Sequence, residues 1–144
     1  TLATAESCTG GLIARRITAL PGASRVYRGG VVSYWTEVKA AVLGVPQDLL
    51  DQYGAVSEPT ARAMAEGARR ITGADIAVSV TGVAGPDPDE RGNPVGLVFI
   101  GLATPDGTFC RRTESGRRTR DRIQDLSANH ALDMVRRYLT GLEL

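Results

Sequence analysis

Ala5-Glu6-Ser7-Cys8-Thr9-Gly10-Gly11 is the stretch on which the reading of this chain turns. Before it, Thr1 to Ala5 alternates threonine with leucine and alanine, as a strand does; after it, Leu12, Ile13, Ile17 and Leu20 recur at helical spacing. The seven residues therefore form a strand-to-helix turn. Gly10 and Gly11 permit a sharp bend and the close approach of another molecule, and the free N–H groups of a new helix, with its dipole, favour negative charge. Ser7 and Thr9 add hydroxyls. A hydroxyl beside backbone donors suits acyl transfer, as nucleophile plus oxyanion hole; it equally suits holding a phosphate, or simply capping a helix. The run is neither a P-loop nor a dinucleotide fingerprint, so the local pattern leaves these readings open.

The rest of the chain bounds the answer. Its 144 residues make one domain of ordinary size, 1–144, with 42% hydrophobic and 23% charged residues and a net charge of +1. Nothing in that balance asks for nucleic acid, and no apolar run approaches the ~20 residues of a membrane span. Thr1 already belongs to a strand, so we allow for an N-terminal helix or further domain ahead of it; no signal peptide is visible. Two cysteines, Cys8 and Cys110, and a single histidine, His130, make neither a disulfide framework nor a Cys/His metal site. We expect a cytoplasmic protein with no metal and no cofactor.

Sixteen of the 17 basic residues are arginine; the exception is Lys39. A lysine kept where arginine is the rule is a candidate for losing its proton, which a guanidinium does not do. Its surroundings fit. Gly29 to Trp35 reads as a strand through Val31, Val32 and Tyr34, and Thr36 can cap a short helix that carries Lys39 in its first turn. Further on, Pro46 to Leu50 is a short helix closed by Gly54. Ser57-Glu58-Pro59 then opens an amphipathic helix with the stripe Ala61, Met64, Ala65, Ala68, Ile71, ending at Gly73. The alanines suit close packing against a sheet or another subunit, and we expect a homo-oligomer.

Asp75 to Val80 is nearly continuously apolar, as a strand covered on both faces should be, and it runs into Thr81-Gly82-Val83-Ala84-Gly85-Pro86. A Pro-, Asp- and Gly-rich loop follows to residue 95. Gly96–Ala103 and Thr108–Thr113 flank Pro105-Asp106-Gly107 as a hairpin, and a last helix covers about 119 to 139, with His130 half-buried on its apolar side. Strands alternating with helices, plus one hairpin, predict an α/β fold, a three-layer α/β/α sandwich around a mixed sheet. Ligands collect at the carboxyl ends of strands in such sheets. If their strands run parallel, the turns carrying Ser7, Lys39 and Thr81-Gly82 meet at one edge.

Ser7, Lys39 and Tyr34 then form a hydrolase set that needs neither histidine nor metal. Lysine accepts the serine proton, tyrosine relays it or orients the amine, and the amides of Thr9 to Gly11, or of Gly82, hold the oxyanion. For this the Lys39 pKa must fall by ~3 units, on the order of 4 kcal/mol, which requires burial or a positive neighbour. Cys8 is an alternative nucleophile.

Four stretches, in order, resemble the CinA C-terminal domain family: Ala5 to Gly11; Gly30-Val31-Val32-Ser33-Tyr34 with Lys39 and Leu43-Gly44-Val45; Tyr53-Gly54-Ala55-Val56-Ser57; and Thr81 to Pro86 followed by Pro94-Val95-Gly96. Active members of that family are nicotinamide-nucleotide amidases. The resemblance implies hydrolysis of nicotinamide mononucleotide to the nicotinate nucleotide and ammonia, with Ser7 as nucleophile, Lys39 as base and Tyr34 as third member. It also implies that Thr9, Gly10, Gly11, Thr36, Thr81, Gly82 and Gly85 hold the nucleotide. The alternative is a non-catalytic nucleotide-binding module behind a second domain, since some relatives are tied to competence and damage response. Two departures stand out. Thr36 replaces an asparagine common in relatives, and Arg117 replaces an acidic residue before the last helix. Arg25, Arg28, Arg117 and Arg118 are the candidate phosphate contacts.

Overall fold

A computed structural model describes all residues 1–144. Its elements run β1 (Leu2–Glu6), α1 (Leu12–Thr18), β2 (Tyr27–Val32), α2 (Thr36–Ala41), α3 (Gln47–Tyr53), α4 (Glu58–Thr72), β3 (Ile76–Gly82), β4 (Leu97–Thr104), β5 (Gly107–Glu114) and α5 (Arg120–Leu139). The five strands form one sheet in the order β2-β1-β3-β4-β5. β1 pairs in parallel with both β2 and β3, while β3–β4 and β4–β5 are antiparallel. The expected mixed sheet and α/β architecture are present.

The sheet is covered on both faces, and the strand period of two sorts the cover. Ile76, Val78 and Val80 point to the face taken by α1 and α5, in a core with Ile13, Ile100, Leu102, Ile123 and Met134. Ala3, Ala5 and Ala77 point the other way, against Met64 and Ala68 of α4 with Leu43, Val45 and Leu50. Burial of this kind, at about 25 cal/mol per Å² of apolar surface, is the main driving term.

α4 explains the small residues of the sequence. Ser57 caps it, its Oγ accepting from the Thr60 amide at 3.3 Å. Ala61, Met64, Ala65 and Ala68 are fully buried within the chain, so the alanine face is spent on the sheet rather than on another subunit. Ile71 lies roughly 80° round the helix from Ala61 and is 46% exposed. The helix sits close. Ser79 of β3 donates to the Ala61 carbonyl at 2.5 Å, and a Cβ on Gly67 would lie 2.1 Å from the Leu43 carbonyl oxygen.

Some boundaries differ from expectation. β2 runs Tyr27–Val32, earlier than the stretch to Trp35, because its partner β1 ends at Glu6, which pairs with Val32. Beyond that pair the chain bends, and Tyr34 lies outside the sheet. α2 starts at Thr36 with Trp35 as the flanking residue and no side-chain cap, so Thr36 is its first residue rather than its cap. α1 stops at Thr18, leaving Leu20 exposed. No helix is long and apolar enough to cross a membrane.

Candidate active site

Parallel pairing of β1 with β2 and β3 brings the carboxyl ends of all three to one sheet edge, and the side chains singled out above meet there only in part. Ser7 follows β1 directly, and its amide donates to the Val80 carbonyl of β3 at 3.0 Å. Lys39 comes from α2 and is 1% exposed. Its Nζ lies 3.0 Å from Ser7 Oγ and donates to the Ser33 carbonyl at 2.6 Å. No carboxylate is within ion-pair distance of it. Burial disfavours the ammonium, and the Lys39 pKa is lowered to about 8. A neutral lysine at this position has a lone pair to take the Ser7 proton.

Around the pair is a cavity of about 290 Å³ whose walls include Cys8, Tyr34, Val56, Thr81 to Gly85, Asp87, Asp89 and Arg120. Tyr34 stands at its rim, about half exposed. Its hydroxyl is a partner of the Arg120 guanidinium and makes no hydrogen bond to Ser7 or Lys39. The amine is oriented by the Ser33 carbonyl instead. Thr81 Oγ1 donates to the Ala55 carbonyl at 2.7 Å, so Thr81 ties two walls together. Gly82 and Gly85 line the cavity, and the Gly85 carbonyl accepts from Arg120 at 2.7 Å. Thr36 lies elsewhere, in an adjoining cavity of about 840 Å³ that shares Tyr34, Ala55, Val56 and Asp89 with the first.

The glycine turn is built differently from the sequence expectation. Gly10 and Gly11 both have positive φ, 60° and 100°, which explains the glycines. Yet neither lines the cavity, and their amides are occupied: Gly10 donates to the Ser7 carbonyl, and Gly11 donates to Glu6 Oε2 at 3.1 Å. Thr9 is buried and also donates to Glu6, at 2.7 Å. The start of α1 is satisfied from within, so the Thr9 side chain, Gly10 and Gly11 shape the turn rather than face a ligand. Within this turn the amides of Cys8 and Thr9 are left with no oxygen acceptor in the chain, as are those of Ala84 and Gly85 in the cavity wall.

Cys8 is buried, and burial pushes its thiol pKa up to about 12, so it is held as an unreactive thiol. His130 is half-buried on α5 and lines no part of the cavity. Arg25, Arg28, Arg117 and Arg118 do not line it either; the arginine that does is Arg120, at the start of α5. Arg120, Glu6 and the Ser33 carbonyl are the members that sequence reasoning missed. Arg120 carried a weak signal, being one more arginine just after Arg117 and Arg118. A backbone carbonyl such as that of Ser33 carries none.

Residues 1–139 match the CinA C-terminal domain. The chain belongs to that family. Family members of known structure share the fold closely: the competence/damage inducible protein CihA from Agrobacterium tumefaciens is 40% identical, covering 94% of this chain and 82% of that one, with a TM-score of 0.90. The competence damage-inducible protein A (ComA) from Klebsiella pneumoniae is 33% identical over 99% of this chain and 88% of that one, with a TM-score of 0.93. A "CinA-like protein" from Frankia casuarinae is 55% identical over 142 residues, which is 99% of this chain and 32% of that protein. The chain spans about a third of the length of the curated relatives it matches.

Proposed function

We propose that this CinA-family chain is an amidohydrolase that converts nicotinamide mononucleotide to the nicotinate nucleotide and ammonia. The carrying observation is the 3.0 Å contact between Ser7 Oγ and a buried, uncompensated Lys39 whose pKa is about 8. The neutral amine takes the Ser7 proton as Oγ adds to the carboxamide carbon. The oxyanion is received by the Cys8 and Thr9 amides. Collapse breaks the C–N bond, Lys39 returns its proton to the departing nitrogen, and ammonia leaves an ester on Ser7. Water then adds, with Lys39 taking its proton, and the acid is released as Oγ is reprotonated. Arg120 is the cation available for the nucleotide phosphate, and Tyr34 shares its position at the rim.

The test is ammonia release from nicotinamide mononucleotide by the unmodified chain beside Ser7→Ala and Lys39→Arg, with binding followed separately. Turnover lost in both variants with binding retained supports the reading. Binding without turnover by the unmodified chain would favour a nucleotide-binding module and overturn it.

A further inference from the structure

A carboxylate only 1% exposed sits immediately before Ser7 and takes no part in the steps above. Glu6 Oε2 accepts from the Thr9 hydroxyl at 2.7 Å and from the amides of Gly11 and Ile13 at 3.1 and 3.0 Å, while Oε1 accepts from the Ala14 amide at 2.8 Å. Four donors replace the water lost on burial, and no cation is paired with it. The Glu6 main chain is engaged as well. Its carbonyl accepts from the Ser33 amide at 2.8 Å and the Ser33 hydroxyl at 3.4 Å, and the Ser33 carbonyl holds Lys39 Nζ.

A helix start is ordinarily capped by a Ser, Thr, Asp or Asn at the flanking position, but here that position is Gly11, which offers no side chain. The cap instead reaches back from the end of β1. The carboxylate therefore closes Ser7 to Gly10 into a ring anchored at both ends, and it consumes the Gly11 amide while those of Cys8 and Thr9 stay free. We propose that Glu6 is the positioning residue of the Ser7 site, holding the nucleophile's turn through its carboxylate, beside a main-chain carbonyl that anchors Ser33 whatever side chain stands at this position. The inference rests on reading Ser7 as the nucleophile. It concerns the reactivity of Ser7, whatever amide is attacked. Glutamine keeps the shape but not the chemistry, since its NH2 would confront amide donors.

The experiment uses the full chain, Glu6→Ala and Glu6→Gln, with two readouts: kcat and KM for nicotinamide mononucleotide, and the rate of covalent labelling of Ser7 by a fluorophosphonate, with and without added formate. Displacing a turn of this kind by an ångström costs on the order of 10²-fold in rate. The expected result is a loss of about that size in kcat, with KM little changed and labelling slowed in parallel. Formate should recover part of both rates in Glu6→Ala and leave the unmodified chain unaffected. If Glu6→Ala does not fold, Glu6→Gln carries the test: a slowed kcat and slowed labelling support the role, and unmodified rates overturn it. A folded Glu6→Ala with unmodified kcat and labelling also overturns it, as does a change confined to KM. If the unmodified chain labels at Ser7 but releases no ammonia, the amidase reading fails while labelling still decides the role of Glu6. If it neither labels nor turns over, both fall.

Discussion

Lys39 Nζ lies 3.0 Å from Ser7 Oγ, although 32 residues separate them in the chain and only the pairing of β1 with β2 brings them together. With the Lys39 pKa lowered to about 8, the ammonium form dominates below that pH and the basic amine above it. Amidase kcat/KM should therefore rise with pH through a single limb centred near 8. Lys39→Arg cannot shed its proton and should lose about 10²- to 10⁴-fold, the usual worth of a general base. A pH–rate profile of both proteins checks this, and a flat profile from pH 6 to about 9 would remove Lys39 as the base.

The same lysine should cost stability. Its folded pKa is lowered from 10.5 to about 8, so the unfolded chain binds the proton more tightly and stability rises with pH across that window. Below about 8 the penalty is present in full. Lys39→Met should thus raise stability at pH 7 by about 1–3 kcal/mol, read from urea midpoints, while abolishing activity. Loss of stability instead would mean that the bond to the Ser33 carbonyl outweighs the buried charge.

Arg120 lines the cavity of Ser7 and is held by the Gly85 carbonyl and the Tyr34 hydroxyl. If it meets the phosphate, Arg120→Gln should raise KM for the mononucleotide by about 10- to 100-fold, the worth of a charge-assisted hydrogen bond. The unphosphorylated riboside should be unaffected. Steady-state kinetics on both substrates separates a phosphate contact from general damage to the site.

Cys8 should be silent. A buried thiol whose pKa is about 12 stays protonated at working pH, so iodoacetamide should leave the folded chain unlabelled at this position. Cys8→Ala should keep activity within about tenfold, since it removes only a small packing contribution. Inactivation that tracks alkylation of Cys8 would revive the cysteine as nucleophile.

Gly67 is where α4 comes closest to its surroundings. A Cβ there would sit 2.1 Å from the Leu43 carbonyl oxygen, a backbone atom that cannot turn away. Gly67→Ala, normally favourable in a helix, should here destabilise by about 1–3 kcal/mol in thermal or urea unfolding. An increase in stability would show that α4 can move off the sheet at little cost.

The amphipathic helix α4 was legible because its stripe, its Ser57 cap and its closing Gly73 all point to one answer, and the buried strand β3 because its run is almost wholly apolar. Ser7 and Lys39 were legible too, one as a hydroxyl at a strand-to-helix turn, the other as a lone lysine among arginines. The glycine turn misled. Gly10 and Gly11 read as an open cradle for an anion, but the anion is already there, as the Glu6 carboxylate from the preceding residues.

By itself the sequence determined the order of elements, the mixed α/β sandwich and two members of the candidate site, because periodicity, capping and composition are local signals that survive without coordinates. Only the tertiary structure decided which donors stay free, which arginine reaches the cavity, that Tyr34 turns to Arg120 rather than to Lys39, and that burial lowers the Lys39 pKa to about 8. The physical reason is that hydrogen-bond satisfaction and desolvation belong to the environment of a group. In this chain that environment is assembled from segments more than thirty residues apart, held side by side by the register of a parallel sheet.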